Sequence, residues 1–287
     1  MESIRVLTPA EFPPLLTEIP DPPKALYLRG VLPDFDKYKF LSVVGTRKYT
    51  SYGKDAVTKI IRELAGYPVV IISGLALGID SIAHQCALES GLLTIAVPGS
   101  GLSDNVIYPA QHLELSRRIL KAGGALLSEY KPDFRATMWS FPRRNRIMAG
   151  MSHATLVIEA ERKSGTLITS RLATDYNRDV LTIPGSIFSK TSEGPHMLIR
   201  LGATPVTSGR DVLEALHIDT SDNQTESSNT SDCSPEELAL LELLSEPLPR
   251  DLLMEKLEMP AMEINMIISL LEIKGLVVER MGKIHRI

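Results

Sequence analysis

The sequence predicts a three-layer α/β domain followed by a small, mainly helical domain. Between residues 40 and 218, short apolar runs alternate with segments of helical periodicity. The apolar runs lack an alternation of polar and apolar positions, which is typical of strands buried on both faces of a parallel sheet. A polar stretch then separates this region from residues 234–287. These observations indicate a mostly parallel sheet with helices on both faces, a Rossmann-like arrangement.

The elements of the large domain follow one another in a regular order. Apolar runs of four to eight residues predict strands, and the periodic segments between them predict helices. In chain order these are strand FLSVVG (40–45), a helix near Tyr52–Leu64, strand PVVIIS (68–73), a helix near Ile79–Glu89, strand LLTIAVPG (92–99), a helix near Leu113–Ala122, strand ALLSE (125–129), strand ATLVIEA (154–160), a helix near Leu167–Tyr176 and strand DVLTIPG (179–185).

Three segments lie outside this alternation. Residues 1–39 are rich in proline and read as an extension that ends in a strand at ALYLRG, with no function assigned. Residues 219–233 are so polar that burial cannot offset their ordering entropy, so we predict a flexible linker. Residues 234–287 read as three helices and a hairpin, with Pro260 suited to the start of the longest helix and Gly275 to its end. That pattern predicts a winged helix.

Composition excludes several classes of protein. Residues are 44% hydrophobic and 23% charged, as in ordinary globular proteins. No run approaches the roughly 20 apolar residues of a membrane helix, and the N-terminus lacks a signal-peptide core. The two cysteines, Cys86 and Cys233, favour neither a disulfide framework nor a zinc site, and the six histidines show no metal-ligand spacing. We therefore expect a cytoplasmic protein without a bound metal.

The net charge of −4 conceals an uneven distribution. Residues 1–218 carry 25 Lys and Arg against 21 Asp and Glu, whereas residues 219–287 carry 6 against 14. A mildly basic body thus precedes an acidic C-terminal part, and a nucleic-acid partner for the body is not excluded. The predicted recognition helix, AMEINMIISLLEIK, sets Glu263 and Glu272 against Lys274. This charge is wrong for duplex DNA, so we predict a protein–protein role for the winged helix.

The loops after the strands are rich in Gly, Ser and Thr: VGTR (44–47), SGLALGID (73–80), PGSGLS (98–103) and KSGTLIT (163–169). In open α/β sheets such loops meet at one edge, where backbone N–H groups can bind an anion. The alternative is that the glycines serve tight turns. VGTRKYTSYGKD lacks P-loop spacing, and GSGLSD has Asp104 where a dinucleotide fingerprint has its third glycine. We expect no nucleotide cofactor.

An arginine cluster precedes a helix at FPRRNRIMAGMS (141–152). Between Asp133 and Glu159 the only charged side chains are those of four arginines, three of them in this cluster. Arginine binds phosphate in a bidentate manner, so we expect these groups to be free for a polyanion. The alternatives are a solvated face or pairing with carboxylates distant in sequence. Trp139 and Phe141 are candidates for base stacking, or else belong to the core.

These strings, in this order, resemble the DNA-processing protein A (DprA/Smf) family: VGTR, SGLALGIDSIAHQCAL, TIAVPGSGLS, LLSEY, FPRRNRIMAGMS, EAERKSGTLITSRLA and IPG. The resemblance runs from about Phe40 to Ile218. It implies a homodimer that binds single-stranded DNA without sequence preference and loads the RecA recombinase during DNA uptake and recombination. The DNA- and phosphate-binding residues that the loops and the resemblance suggest are Arg47, Gly74, Gly78, Gly99, Arg143, Arg144, Asn145, Arg146, Ser164, Gly165 and Thr166.

Three further polar residues are interpreted as structural supports, and no residue is predicted to be catalytic. Asp80 and His84 lie one helical turn apart, and we favour support of the SGLALGID loop over catalysis. Glu159 follows a strand, and we expect it to cap the 163–169 loop. The alternative function is a nucleotide phosphoribohydrolase of the lysine-decarboxylase-like group. Those enzymes carry PGGxGTxxE, whereas Lys163 and Ser164 replace its glycines here and its glutamate is missing.

Overall fold

The computed structural model describes residues 3–219, 233–244, 246–257, 259–280 and 282–286. These residues form two compact units, one before and one after residue 220. Only the first and last residues of the predicted linker, 219–233, lie within the described ranges.

A nine-stranded sheet forms the centre of the first unit, in the order β1-β2-β6-β5-β4-β3-β7-β8-β9. In this spatial order, all neighbouring strands from β6 through β5, β4, β3, β7 and β8 to β9 are parallel. β1 and β2 pair in antiparallel fashion at the β6 side of the sheet. The strands are β1 (Arg5–Leu7), β2 (Leu26–Gly30), β3 (Lys39–Val44), β4 (Val69–Ser73), β5 (Thr94–Ala96), β6 (Ala125–Ser128), β7 (Ala154–Val157), β8 (Asp179–Thr182) and β9 (Thr204–Pro205).

Helices cover both faces of this sheet. They are α1 (Pro14–Thr17), α2 (Ser51–Glu63), α3 (Ile79–Glu89), α4 (Leu113–Lys121), α5 (Ser140–Met151), α6 (Thr166–Asp175), α7 (Glu193–Arg200) and α8 (Gly209–Ala215). Successive residues of β4 show the layering, because Val69 and Ile71 pack in one apolar cluster with α2 and α3, whereas Val70 and Ile72 pack in another with α5. The predicted three-layer, mostly parallel Rossmann-like fold is confirmed.

The N-terminal residues belong to this sheet instead of extending from it. β2 pairs with β6 in an antiparallel register in which Leu28 lies opposite Leu127. Leu16 and Ile19 are buried against α5, and a Cβ at Gly150 would lie 2.9 Å from the Ile19 side chain. The extension predicted at 1–39 is therefore part of the same compact unit, and residue 40 is not a structural boundary.

The second unit has the predicted helices and hairpin of a winged helix. Its elements are α9 (Pro235–Leu243), β10 (Leu248–Pro249), α10 (Arg250–Leu257), α11 (Ala261–Ile273), β11 (Val277–Arg280) and β12 (Lys283–Arg286). Leu240, Leu253, Ile264 and Ile268 are among the fully buried residues of its own apolar core. Gly275 ends α11 with a φ of +70°, a left-handed conformation that glycine adopts without strain.

Candidate nucleic-acid interface

A cleft of about 720 Å³ lies at the edge where the parallel strands end. It is lined by the last residue of β3 and the four that follow it (44–48), Ala76 and Asp80 after β4, residues in the first part of α5, and residues 163–166 after β7. The topology explains this assembly, because the carboxyl ends of parallel strands share one edge of the sheet. Of the predicted binding residues, the cleft brings together Arg47, Phe141, Arg144, Asn145, Ser164, Gly165 and Thr166.

Exposed cations lie around the mouth of this cleft. Arg47, Lys48 and Lys163 all line it and are all solvent-exposed. The Arg47 guanidinium carbon lies 5.5 Å from the centre of the Phe141 ring, close enough for a cation–π contact. Glu161, also exposed, is a carboxylate in the same lining. The mouth therefore presents more positive than negative charge to a ligand.

Arg144 lies at the floor of the cleft and is held there by the protein. Its side chain is buried and donates a hydrogen bond to the backbone carbonyl of Val97. Burial lowers the pKa of Arg144 to about 10, and the neighbouring Asp80 acts in the opposite direction. Arg144 therefore stays charged at neutral pH and adds positive potential below a ligand without being freely mobile.

The expectation that the arginine cluster is free of carboxylates is wrong for Arg146. Its Nη2 donates to Oε2 of Glu129 at 2.5 Å, its Nη1 donates to the carbonyl of Asp21 at 2.8 Å, and only 6% of the residue is exposed. Arg143 remains exposed, although its Nε lies 3.5 Å from the same Glu129 oxygen. Glu129 follows β6 and lies outside residues 133–159, so its pairing with Arg146 is not evident from that part of the sequence.

Three of the glycines expected to contact phosphate are buried by packing instead. A Cβ on Gly74 would lie 2.0 Å from Nη1 of Arg144, and one on Gly99 would lie 2.6 Å from the Phe141 ring. Gly78 has a φ of +85° and abuts the backbone of Thr46 and Arg47. The Gly74 N–H is also occupied, since it donates to Asp80. The φ of Gly78 agrees with the alternative of tight turns, and close packing against Arg144 and Phe141 accounts for Gly74 and Gly99.

The 163–166 loop differs, because it is open to solvent. Gly165 is exposed, and a Cβ built on it meets nothing within 4 Å. Ser164 Oγ accepts from the Thr166 N–H at 3.2 Å, which shapes the loop at the start of α6. Gly165 is thus the exposed glycine of these loops, whereas Gly45, which also lines the cleft, is half-buried and packs against Ile79.

Asp80 lines the cleft, whereas His84 is buried in the interior beside β5. The Asp80 carboxylate accepts from the Gly74 N–H at 3.1 Å, and burial raises its pKa, opposed first by Arg144. The His84 Nδ1 lies 2.7 Å from Oγ1 of Thr94, and burial lowers the pKa of His84 to about 3. His84 is therefore neutral at neutral pH.

Glu159 is buried, and its carboxylate binds Thr50 and Thr191 instead of capping the 163–169 loop as we expected. Its carboxylate accepts from the Thr50 N–H at 2.9 Å, from the Thr50 hydroxyl at 2.6 Å and from the Thr191 hydroxyl at 2.7 Å. Thr50 is the N-cap residue of α2. Glu159 packs so closely against the first turn of α2 that position 53 must be glycine, since a Cβ there would lie 2.2 Å from Glu159 Oε2. Gly53 lies 106 positions before Glu159 in the sequence, so no local pattern links the two residues.

The two aromatic candidates lie in different places. Phe141 lines the cleft and lies 5.5 Å from the Tyr108 ring, centroid to centroid. Trp139 is 54% exposed and lies outside the cleft lining, whereas its neighbour Met138 is within that lining.

The described residues contain neither a candidate metal site nor a helix able to span a membrane. No three His, Cys, Asp or Glu side chains of these residues are grouped so that they could hold a metal ion. Every helix in the same ranges is too short or too polar to span a membrane.

The fold and the cleft define a Rossmann-like α/β protein whose candidate ligand site lies at the carboxyl edge of its sheet, joined to a winged helix. Residues 3–217 match the family described as DNA recombination-mediator protein A, and residues 224–283 match the DprA winged helix domain. The chain belongs to the DNA recombination-mediator protein A family.

Relatives and solved structures agree with this assignment. Protein Smf of Escherichia coli is 43% identical over 213 residues, which cover 73% of this chain and 56% of that protein. DprA of Streptococcus pneumoniae is 45% identical over 198 residues, covering 69% of this chain and 68% of that protein. The chain thus spans little more than half of the E. coli relative and about two thirds of the other.

Similar solved structures include those of DprA from two bacteria. The X-ray structure from S. pneumoniae has a TM-score of 0.67 at 40% identity and covers 74% of each chain. DprA from Helicobacter pylori, whose structure concerns the single-stranded DNA binding mode of that protein, has a TM-score of 0.66 at 31% identity. This match covers 76% of the present chain and 98% of the other. These matches do not favour the phosphoribohydrolase alternative.

Proposed function

We propose that this chain binds single-stranded DNA in the cleft, without sequence preference, and presents it to the RecA recombinase. The observation that carries the proposal is the set of exposed cations, Arg47, Lys48 and Lys163, around a cleft that also contains the half-buried ring of Phe141. Cations that follow a phosphate backbone, beside a ring on which any base can stack, are the combination used by single-strand binders.

The buried groups below the cleft support binding without base selection. Arg144 is fixed by the Val97 carbonyl and contributes charge, while Asp80 is engaged by the Gly74 amide. Neither side chain is free to read the edge of a base. Binding affinity should therefore depend on phosphate contacts and fall with salt, with a slope of about −0.7 per phosphate neutralised on a single strand.

The wider role rests on the relatives. The H. pylori protein supports single-stranded DNA as the ligand, and family membership supports DNA uptake and recombination as the setting. We propose a cytoplasmic homodimer that acts as a binding protein and not as an enzyme. RecA is the partner that the family resemblance implies.

The binding test uses labelled oligo-dT and the full chain. Arg47→Ala, Lys48→Ala and Lys163→Ala together should weaken binding about a hundredfold at low salt and flatten the salt dependence, because charge-assisted phosphate contacts are lost. Lys37→Ala is the matched control, because it removes an exposed cation just before β3, at the opposite edge of the sheet. Equal binding by the triple variant and the wild type would place the DNA elsewhere.

Two further measurements separate the alternatives. Incubation with AMP should release no free base, whereas its release would support the phosphoribohydrolase. RecA pulldown with and without oligo-dT should show a complex; binding of DNA without any recovery of RecA would leave the cleft assignment intact and remove the loading role.

A further inference from the structure

A cluster of three aromatic rings lies beside the cleft but outside its lining. The Tyr130 and Phe134 rings are stacked with centroids 4.4 Å apart, and the Trp139 ring lies 5.7 Å from each. Tyr130 is buried and its hydroxyl reaches the Ser140 carbonyl at 3.4 Å, so the lower ring is fixed to α5. We call these three residues the ring cluster.

The top of the ring cluster is open to solvent. Trp139 is 54% exposed and Met138 is 91% exposed, so two large apolar side chains stand side by side in water. A single exposed apolar residue is ordinary, but adjacent ones beside a ligand cleft indicate a contact surface. Met138 also lines the cleft, so the two surfaces are continuous.

Cations flank the ring cluster on its own loop. Lys131 and Arg135 are both exposed, and Arg143 is exposed one helical turn beyond Trp139. Asp133 is an exposed carboxylate of the same loop, and the Glu129 side chain at its start is buried against Arg146, so the exposed side chains of the segment are positive on balance. The surface therefore combines a ring platform with positive charge, as the cleft does.

The loop that carries Phe134 is held by backbone hydrogen bonds. The Phe134 N–H donates to the Lys131 carbonyl at 2.9 Å, and the Phe134 carbonyl accepts from the Gly101 N–H at 2.8 Å. The Ser103 N–H donates to the Pro132 carbonyl at 3.0 Å. The platform is thus built in advance of any ligand, which lowers the ordering cost of a contact.

We propose that the ring cluster is a second station for the same DNA strand, at which one unpaired base stacks on Trp139 after the strand leaves the cleft past Met138. Lys131 and Arg135 would hold the phosphates that flank this base. This inference rests on the proposed function and extends the site from the cleft to the loop between β6 and α5. Contact of the same rings with a protein chain is the competing interpretation, and Trp139 fluorescence distinguishes it from DNA binding.

Trp139 is the only tryptophan in the chain, so its fluorescence reports this station directly. Full-length protein is titrated with oligo-dT of about four and about twelve nucleotides. The longer oligonucleotide should quench and shift the Trp139 emission, while the shorter one should fill the cleft and leave the emission nearly unchanged. A long oligonucleotide with abasic sites beyond its first few nucleotides keeps the phosphates but should fail to quench.

Affinity measurements with labelled DNA complete the test. Trp139→Ala should bind the long oligonucleotide about tenfold more weakly and the short one as well as wild type, and Trp139→Phe should restore most of the loss. Lys131→Ala with Arg135→Ala should weaken only the long one. Binding to the short oligonucleotide that depends on Arg47 keeps the proposed function standing whatever the Trp139 variants do.

Three results would overturn the second station. They are equal quenching by dT and abasic DNA, unchanged affinity of Trp139→Ala for the long oligonucleotide, or a change of Trp139 emission with protein concentration in the absence of DNA. The last would assign the rings to contact between copies of the chain. If the wild-type chain did not bind the short oligonucleotide at all, the proposed function itself would be refuted.

Discussion

The helices α5 and α11 are the two elements that sequence patterns associate with nucleic-acid contact, and their charged residues are of opposite sign. α5 carries Arg143, Arg144 and Arg146 in its first two turns. α11, in the recognition position of the winged helix, exposes Glu263 and Glu272 together with an apolar row. The row comprises Met262, Met266, Leu270 and Ile273, which are 43–86% exposed.

The difference teaches that accessible charge matters more than the number of basic residues on a helix. On α5, one arginine is exposed and two are buried, each with a defined internal partner. At the end of α11, Lys274 forms an ion pair with Glu237, and its Nζ lies 2.7 and 2.9 Å from the two carboxylate oxygens. α5 therefore offers less charge to DNA than its sequence suggests, and α11 offers a surface suited to a protein.

The largest expected effect tests the division among the arginines of α5. Arg146→Ala should lower the free energy of unfolding by about 3 kcal/mol, because it leaves the buried Glu129 carboxylate without its closest partner. Arg143→Ala, at an exposed position, should change stability by about 0.5 kcal/mol or less. Urea unfolding followed by Trp139 fluorescence measures both. An Arg146→Ala protein with wild-type stability and impaired DNA binding would return Arg146 to the DNA surface.

The next effect concerns how Arg144 is kept on the cleft floor. Gly74→Ala should destabilise the first unit by about 2 kcal/mol, because the new methyl group would overlap the Arg144 guanidinium. Gly165→Ala, in open space, should leave stability within about 0.5 kcal/mol of wild type. The two substitutions are chemically identical, so unfolding curves compare position alone. Equal stability of both variants would show that the packing at Gly74 is loose.

Local features of the first unit were predictable from sequence, and long-range ones were not. Buried strands such as Val69–Ser73 and the helix that follows at Ile79–Glu89 were anticipated because hydrophobic periodicity is a local property. The role of Gly74 depends on Arg144, which lies seventy positions away and reaches it only through the sheet order. The pairing of Arg146 with Glu129 depends likewise on the contact between α5 and the end of β6.

The two units should differ in the pH at which acid begins to lower their free energy of unfolding. The pKa of His84 is lowered from 6.5 to about 3 by burial, so the unfolded chain binds a proton that the folded chain excludes. The contribution of neutral His84 to the free energy of unfolding is fully present above pH 6.5. It falls by about 1.4 kcal/mol per pH unit as the pH drops from 6.5 toward about 3. In the winged helix, the Lys274 ammonium lowers the pKa of Glu237, whose contribution is lost only below its ordinary value of 4.5.

Trp139 lies in the first unit and reports its unfolding selectively, so fluorescence-detected urea curves at a series of pH values measure this slope. His84→Gln should reduce the slope between pH 6.5 and about 4, whatever its effect on absolute stability. His153, whose pKa burial lowers to about 4, acts in the same direction and limits the reduction. An unchanged slope in His84→Gln would assign the acid sensitivity to other groups.

The smallest expected effect is that of removing the winged helix altogether. Residues 219–287 carry 14 acidic and 6 basic side chains, so their deletion removes repulsion toward DNA and leaves the cleft intact. Oligo-dT affinity should stay the same or rise a few-fold at low salt, and the gain should vanish as salt screens the charge. Glu263→Gln with Glu272→Gln in the full chain should move affinity in the same direction by less. A tenfold loss on deletion would contradict the contrast between α5 and α11, because the acidic, apolar helix would then have to contribute to DNA binding.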